Sequence, residues 1–128
     1  MNIIGWKIVY KSIEQIRIEN ILKGLYEIKD WEELHIALWA WLSLDGKREK
    51  HEWFQKFNVP RVSNDCFACE QAKEYLASVQ SGGYCCHCPL TKSTAIGCLN
   101  GVYEQWWKAD FEIRECLAEK IANMKWLY

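Results

Sequence analysis

The chain has 128 residues, half of them apolar, and its 16 Lys and Arg residues nearly balance 17 Asp and Glu residues, which gives a net charge of −1. This length and apolar content suit one domain with one hydrophobic core. The balanced charge supplies no overall attraction to phosphate backbones or anionic lipid. The apolar runs fall far short of the roughly 20 residues that cross a bilayer, and the N-terminus lacks a secretion-signal pattern. We therefore expect a cytoplasmic protein without a membrane span.

The hydrophobic pattern predicts a mainly α-helical single domain over residues 1–128, with about four or five helices. Its first segment is residues 1–29. Apolar residues at steps of three to five favour an amphipathic helix over 8–28. The β-branched residues at the start and the alternation from Ile16 to Glu19 would also suit a strand, so we expect a helical or a strand extension here.

Residues 30–59 form the next helical segment. Asp30, with Glu33 at the third helical position, has the pattern of an N-cap that satisfies free backbone N–H groups and suits the helix dipole. The helix that follows is apolar on most of its faces up to Leu44, which predicts burial on two sides. A turn at Asp45–Gly46 and a further short helix complete the segment.

Residues 60–100 contain the strongest motif in the sequence. Two Cys-x-x-Cys pairs, Cys66 with Cys69 and Cys85 with Cys88, are separated by fifteen residues, which is the spacing of a four-thiolate zinc site. Two thiolates three positions apart lie on one tight turn, close enough to bind one tetrahedral ion at about 2.3 Å. We therefore predict a structural zinc-binding lobe formed by these two pairs.

The fourth ligand of this site has alternatives. Cys85 has the best spacing, but Cys86, His87 and Cys98 lie close in sequence, and Cys98 is the main substitute. An iron–sulfur cluster and a metal-free set of buried cysteines are competing interpretations. Four protein thiolates leave no open position for water or substrate, which favours a structural ion. Removing such an ion is expected to unfold much of the domain.

Known catalytic motifs are lacking in the sequence. It contains no glycine-rich phosphate loop, no His-Glu-x-x-His helix and no Gly-x-Ser-x-Gly turn. The His-x-Glu and Pro-Cys-x-x-Cys elements of a zinc deaminase are also missing. The three histidines are far apart, and His35 is typical of a hydrogen-bonded residue on a helix face. We predict that the protein is not an enzyme.

Residues 101–128 form the predicted C-terminal helix. Apolar residues at steps of three or four run from Val102 to Met124, and Cys116 falls beside this face, as a core residue would. Trp106 and Trp107 are neighbours, so on a helix they point about 100° apart and cannot both enter one core.

Trp107 aligns with Tyr103 and Phe111 at spacings of four, next to Lys108. Exposed aromatic residues are common at protein interfaces, and they also stack on nucleobases. We take these four residues as the candidate binding surface. Packing of the same aromatic stripe inside the chain is the alternative interpretation.

Several of these stretches together resemble short Cys-rich proteins encoded by bacteriophages and prophages. The resemblance covers about residues 30 to 110, and it rests on His-Ile-Ala-Leu-Trp-Ala-Trp-Leu from residue 35, on the two cysteine pairs and on Gly-Cys-Leu-Asn-Gly-Val-Tyr-Glu-Gln-Trp from residue 97. The doubled Cys85–Cys86 departs from the usual single cysteine. Most of those proteins have no assigned function.

The resemblance implies a setting in the bacterial host cytoplasm. There we expect a non-enzymatic phage accessory protein that binds a host protein, such as an inhibitor of CRISPR or of another defence system. The alternative is a zinc module that binds nucleic acid or a nucleotide. A homodimer in which a second copy covers the apolar helix at 34–44 is a further arrangement that the sequence leaves open.

Overall fold

The computed structural model describes residues 2–62, 65–71 and 102–124, and for 102–104 it describes the backbone alone. Within these ranges residues 67–71 are helical and no strand occurs, so the mainly α-helical prediction is confirmed there. No helix of the described ranges has the length and apolar character needed to cross a bilayer. The helices with defined bounds are α1 (Ile3–Ser12), α2 (Gln15–Glu27), α3 (Trp31–Ser43), α4 (Lys50–Lys56), α5 (Val102–Lys108) and α6 (Phe111–Ala122).

The N-terminal region consists of two helices, where the sequence predicted one over 8–28. Ile13 and Glu14 both adopt an extended backbone, which ends α1 and begins α2. This break changes the face that each later residue presents. Ile16, which the regular spacing assigned to the apolar face, is exposed, whereas Ile18 is buried. The helical alternative for this segment is therefore the one that the structure adopts over residues 2–29.

Helix α3 lies at the centre of the fold. It begins as predicted, because the side chain of Asp30 accepts a hydrogen bond from the backbone N–H of Glu33 at 3.2 Å. Ten of its 13 residues are buried, since α1, α2, α4 and α6 all pack against it. The apolar surface of α3 is thus covered within a single chain, without a second copy.

A hydrogen-bonded chain through Tyr10 ties three helices together. The indole Nε1 of Trp53 in α4 donates to the Tyr10 hydroxyl at 3.1 Å. That hydroxyl in turn donates to the carbonyl oxygen of Ala37 in α3 at 2.6 Å. Burial raises the pKa of Tyr10 above its ordinary value, so the phenol keeps the proton that it donates.

His35 connects α3 to α6. Its Nε2 atom lies 3.1 Å from the carbonyl oxygen of Ile121, and because a carbonyl only accepts, this geometry assigns the proton to Nε2. Burial lowers the pKa of His35 to about 4, and the positive charge of Lys50 acts in the same direction. His35 is therefore a neutral, hydrogen-bonded helix residue, as predicted.

The C-terminal region is also divided, where the sequence predicted one continuous helix. Asp110 has an extended backbone and is the N-cap residue of α6. The break shifts the buried face, so that Ile113 is exposed and Arg114 is buried. Cys116 is exposed, and the expectation that it lies in the core is wrong. The physical reason is that residues beyond the break no longer follow the helical period counted from Val102.

Candidate functional site

The first cysteine pair lies at the beginning of the helical segment 67–71. The backbone N–H of Cys69 donates a hydrogen bond to the Sγ atom of Cys66 at 3.3 Å, so the two residues share one tight turn. Both cysteines are partly buried. A shared tight turn of this kind is compatible with two ligands of one tetrahedral ion.

The surroundings of Cys66 favour its thiolate form. Its pKa is lowered to about 7, first by a hydrogen bond from the side chain of Cys69 and further by the positive charge of Lys50, while burial opposes the change. The thiolate is the form that binds a metal. The donor chemistry of this pair therefore fits a zinc site.

The core anchors this turn between the two cysteines. Phe67 is buried, and its ring stacks on Trp31 with centroids 6.0 Å apart. It also meets Trp53 edge-on at 5.8 Å. An aromatic side chain with this many ring partners fixes its backbone well, so Cys66 and Cys69 are held on the body of the protein.

The chain enters this turn through a fixed bend. Asp65 has a φ of 50°, and its N–H donates to the carbonyl oxygen of Val62 at 3.0 Å. Its carboxylate accepts two hydrogen bonds from the guanidinium of Arg61, at 2.9 and 2.7 Å. The bidentate pair holds the left-handed residue that directs Cys66 toward the core.

The remaining predicted ligands, Cys85 and Cys88, lie outside the described residues, as do the alternatives Cys86, His87 and Cys98. Within the described part of the chain no group of three or more His, Cys, Asp or Glu side chains is arranged to hold a metal. Half of the predicted ligand set is thus placed on the core, and the zinc site as a whole stays a prediction.

The two neighbouring tryptophans occupy opposite environments, as the sequence predicted. Trp106 is 2% exposed and packs edge-on against Trp39 in α3, with ring centroids 4.9 Å apart. Trp107 is 60% exposed, and both Phe111 and Ile113 are 53% exposed. We call these three exposed residues the α5–α6 surface.

Arg114 holds the backbone beneath this surface. Although its side chain is charged, the residue is buried. Its Nε and Nη2 atoms donate to the carbonyl oxygens of Trp106 and Trp107 at 3.2 and 3.1 Å, and Nη1 donates to Glu49 at 2.9 Å. The guanidinium also lies 4.6 Å from the ring centre of Trp106. One side chain of α6 therefore donates to two of the C-terminal carbonyls of α5.

The turn at Asp45–Gly46 closes against the start of α6. The N–H of Gly46 donates to the Glu115 carboxylate at 3.0 Å. A Cβ atom at position 46 would lie 1.8 Å from the carbonyl oxygen of Phe111, so only glycine allows this close approach. Between the turn and α6 lies an open groove of about 530 Å³, which Phe111 and Ile113 line together with five charged residues.

Comparison of the chain with models of known protein families, with curated proteins and with solved structures found no match. The resemblance to phage-encoded Cys-rich proteins therefore stays a prediction from the sequence.

The predicted binding surface is present in part. Trp107, Lys108 and Phe111 are exposed, while the side chain of Tyr103 lies outside the described part of the chain. Trp107 and Phe111 belong to two helices and not to one stripe. The sequence did contain a signal for this division, because Asp110 followed by an aromatic and an acidic residue repeats the N-cap pattern seen at Asp30. A helix that begins after Asp110 would have predicted that Ile113 is exposed.

Proposed function

We propose that this protein is a zinc-stabilised, non-enzymatic binding protein that engages a host protein through the α5–α6 surface. The observation that carries the proposal is the exposure of Trp107 and Phe111 on helices joined by the buried Arg114. Large exposed aromatic side chains are enriched at interface hot spots. A backbone that is already fixed loses less conformational entropy on binding than a flexible one.

Zinc has a structural role in this proposal. The turn of Cys66 and Cys69 is fastened to the core through Phe67, and thiolates from the second cysteine pair would complete a closed tetrahedral site. The ion would then tie the rest of residues 60–100 to the helical body. A closed site has no open position for substrate, which supports binding and not catalysis as the activity.

The biological setting of the proposal comes from the resemblance to phage-encoded proteins. In that setting the host protein would be a component of a bacterial defence system. The phage protein would inhibit it by binding to a functional surface and blocking access to it. A CRISPR effector is the specific target class that we propose. A small accessory protein without catalytic groups acts on such a target by covering a functional surface.

The alternative is a module that binds nucleic acid or a nucleotide. Lys108, exposed next to Trp107, is the observation that favours it, because an aromatic face and a nearby cation together suit a base and its phosphate. The salt dependence of the binding affinity distinguishes the two functions. Phosphate binding weakens steeply as salt is added, whereas an interface dominated by apolar contacts does not.

The test begins with purified, tagged protein as bait in a bacterial host lysate, followed by identification of the captured protein and titration of that purified partner. Trp107→Ala and Phe111→Ala should each weaken binding about ten-fold or more, as removal of a hot-spot aromatic does. The matched control is Ile4→Ala, which removes a side chain that is 64% exposed on α1. Equal binding by all three variants would contradict the proposal.

Inhibition of defence needs its own measurement. Cells that carry an active CRISPR system and express the wild-type chain should regain sensitivity to a targeted phage, seen as restored plaque formation. Trp107→Ala at equal expression should not restore it. Full restoration by that variant would exclude the α5–α6 surface as the inhibitory one.

A further inference from the structure

The groove between the Asp45–Gly46 turn and α6 includes part of the α5–α6 surface and combines apolar with charged lining residues. Phe111 and Ile113 line it and are each more than half exposed. Two large apolar side chains at one open groove are the kind of feature that marks an interaction site. Their position next to Trp107 makes the groove continuous in sequence with the proposed interface.

The charges around the groove identify the kind of partner. Asp45, Asp110, Glu112 and Glu115 line it, and Lys47 is the one basic residue among its lining residues. The carboxylates of Asp45 and Glu115 each accept a backbone N–H of the same turn, from Lys47 and Gly46 respectively. Because a carboxylate has about four acceptor positions, both can still accept hydrogen bonds from a partner.

This negative rim is a local feature of the groove. The whole chain has a net charge of only −1, so the rim does not reflect a generally acidic protein. The buried cation Arg114 lies 6.0 Å from the ring centre of Phe111, pairs with Glu49 at 2.9 Å and donates to the backbone of α5. The lining residues themselves carry four carboxylates and one Lys side chain, which leaves an excess of three negative charges around the groove.

We propose that this groove binds a basic, apolar segment of the partner protein. Its Lys or Arg side chains meet the four carboxylates, and one of its apolar side chains covers Phe111 and Ile113. Complementary charge of this kind selects the partner and orients it. The inference rests on the proposed function, since it names the chemistry of the partner at the same surface. A nucleic acid is disfavoured here, because its phosphates would face carboxylates.

The groove is tested with two dye-labelled amphipathic peptides that share one pattern of Leu residues and differ only in carrying Lys or Glu between them. Binding to the purified 128-residue chain is followed by fluorescence anisotropy. We expect the Lys peptide to bind about ten-fold or more tightly than the Glu peptide, with a difference that shrinks as salt screens the charges.

Reversing two charges in the groove tests whether its carboxylates bind the Lys peptide. Asp110→Lys with Glu112→Lys should weaken binding of the Lys peptide about ten-fold or more. The matched control is Glu14→Lys with Glu27→Lys, which changes the net charge equally at the exposed N-cap residue and the exposed last residue of α2. Both double variants must retain the wild-type circular dichroism spectrum, and Phe111→Ala, which alters no charge, should also weaken the Lys peptide.

Three outcomes would overturn the inference: equal binding of both peptides, no binding of either peptide to the wild-type chain, or an equal loss in the control variant. The proposed function is judged separately with the captured host protein. If that protein needs Trp107 but binds the groove-reversal variant normally, the inference fails and the proposed function stands. If the Lys peptide binds as expected but no host protein depends on Trp107 or Phe111, the groove stands and the proposed function fails.

Discussion

The Nη2 atom of Arg114 donates a hydrogen bond to the carbonyl oxygen of Trp107 at 3.1 Å, across the break between α5 and α6. The last carbonyls of a helix have no partner within that helix. Here a side chain from the following helix supplies one, and its Nε atom supplies another to Trp106. The backbone that carries the exposed side chain of Trp107 is therefore held in place by the side chain of Arg114.

Replacing Arg114 by Met tests this support. The substitution keeps an unbranched stem but removes every donor, so the carbonyl of Trp107 loses this hydrogen bond and the carbonyl of Trp106 keeps only the one from the N–H of Ala109 at 3.3 Å. We expect a cost of about 2 kcal/mol in the free energy of unfolding. The ion pair with Glu49 adds little, because that carboxylate is 42% exposed. Urea denaturation measures the effect. Arg17→Met, which changes an exposed side chain of α2, is the control and should change stability little; equal effects of the two substitutions would count against the support.

Two glycines, one packed against backbone and one in open space, allow a matched test of whether close packing requires glycine. Gly46→Ala places a methyl group against the Phe111 carbonyl, so the turn must move away from α6, and we expect a loss of about 2 to 3 kcal/mol. Gly24→Ala lies in α2, where a Cβ meets nothing within 4 Å, and should stabilise the protein by about 0.5 to 1 kcal/mol. Thermal unfolding of the two variants should shift in opposite directions. An unchanged or raised unfolding temperature in Gly46→Ala would show that the turn does not need glycine.

The pH dependence of stability should contain a contribution from His35. Its pKa in the folded state is about 4, below the ordinary 6.5, so the unfolded chain binds a proton at higher pH than the folded chain does. The stabilising effect is complete above about pH 6.5 and is lost as the pH falls through about 4, a total of about 3 kcal/mol. Unfolding free energies from pH 7 to pH 4.5 measure it.

His35→Gln is the comparison for this experiment, because an amide can donate to Ile121 and does not titrate. The loss of stability between pH 7 and pH 4.5 should be smaller in the variant than in the wild type. Loss of a bound metal at low pH affects both proteins and cancels in the difference. Parallel pH profiles would mean that His35 is not kept neutral by the fold.

The metal prediction is tested by elemental analysis of the purified chain. We expect about one zinc ion per chain, lost in Cys66→Ser and in Cys88→Ser and retained in Cys116→Ser, since Cys116 is exposed on α6. Chelation of the ion is expected to unfold much of the domain, which would be seen as a large loss of the helical circular dichroism signal. Iron in place of zinc, or zinc in all three variants, would remove the predicted site.

The sequence predicted the features that depend on local chemistry. Asp30 caps α3 as its side chain requires, and only one of the neighbouring tryptophans enters the core, as helical geometry demands. Predictions from the helical period were wrong beyond Ile13–Glu14 and beyond Ala109–Asp110. Two non-helical residues are enough to change which face of the following helix is buried. Ile113 and Cys116 were assigned to the interior for that reason.

The role of Arg114 could not be predicted, because its partners are distant in sequence. Glu49 and Gly46 reach it through the packing of α3 against α6, which no local pattern contains. Cys66 and Cys69 were recognised by spacing alone, since two ligands on one turn are a local requirement. Their anchoring through Phe67 depends on ring contacts with Trp31 and could only be seen in the fold.

The packing of α6 against α3 has a consequence for synthesis. His35 and Trp39 in α3 meet partners, Ile121 and Trp106, that lie about 70 residues or more further along the chain. At roughly 5 to 20 residues per second, a ribosome needs about 4 to 14 seconds or more to supply them, whereas collapse of the earlier helices takes well under a millisecond. During that interval nascent chains expose part of α3, so chaperone demand should be highest before α6 emerges.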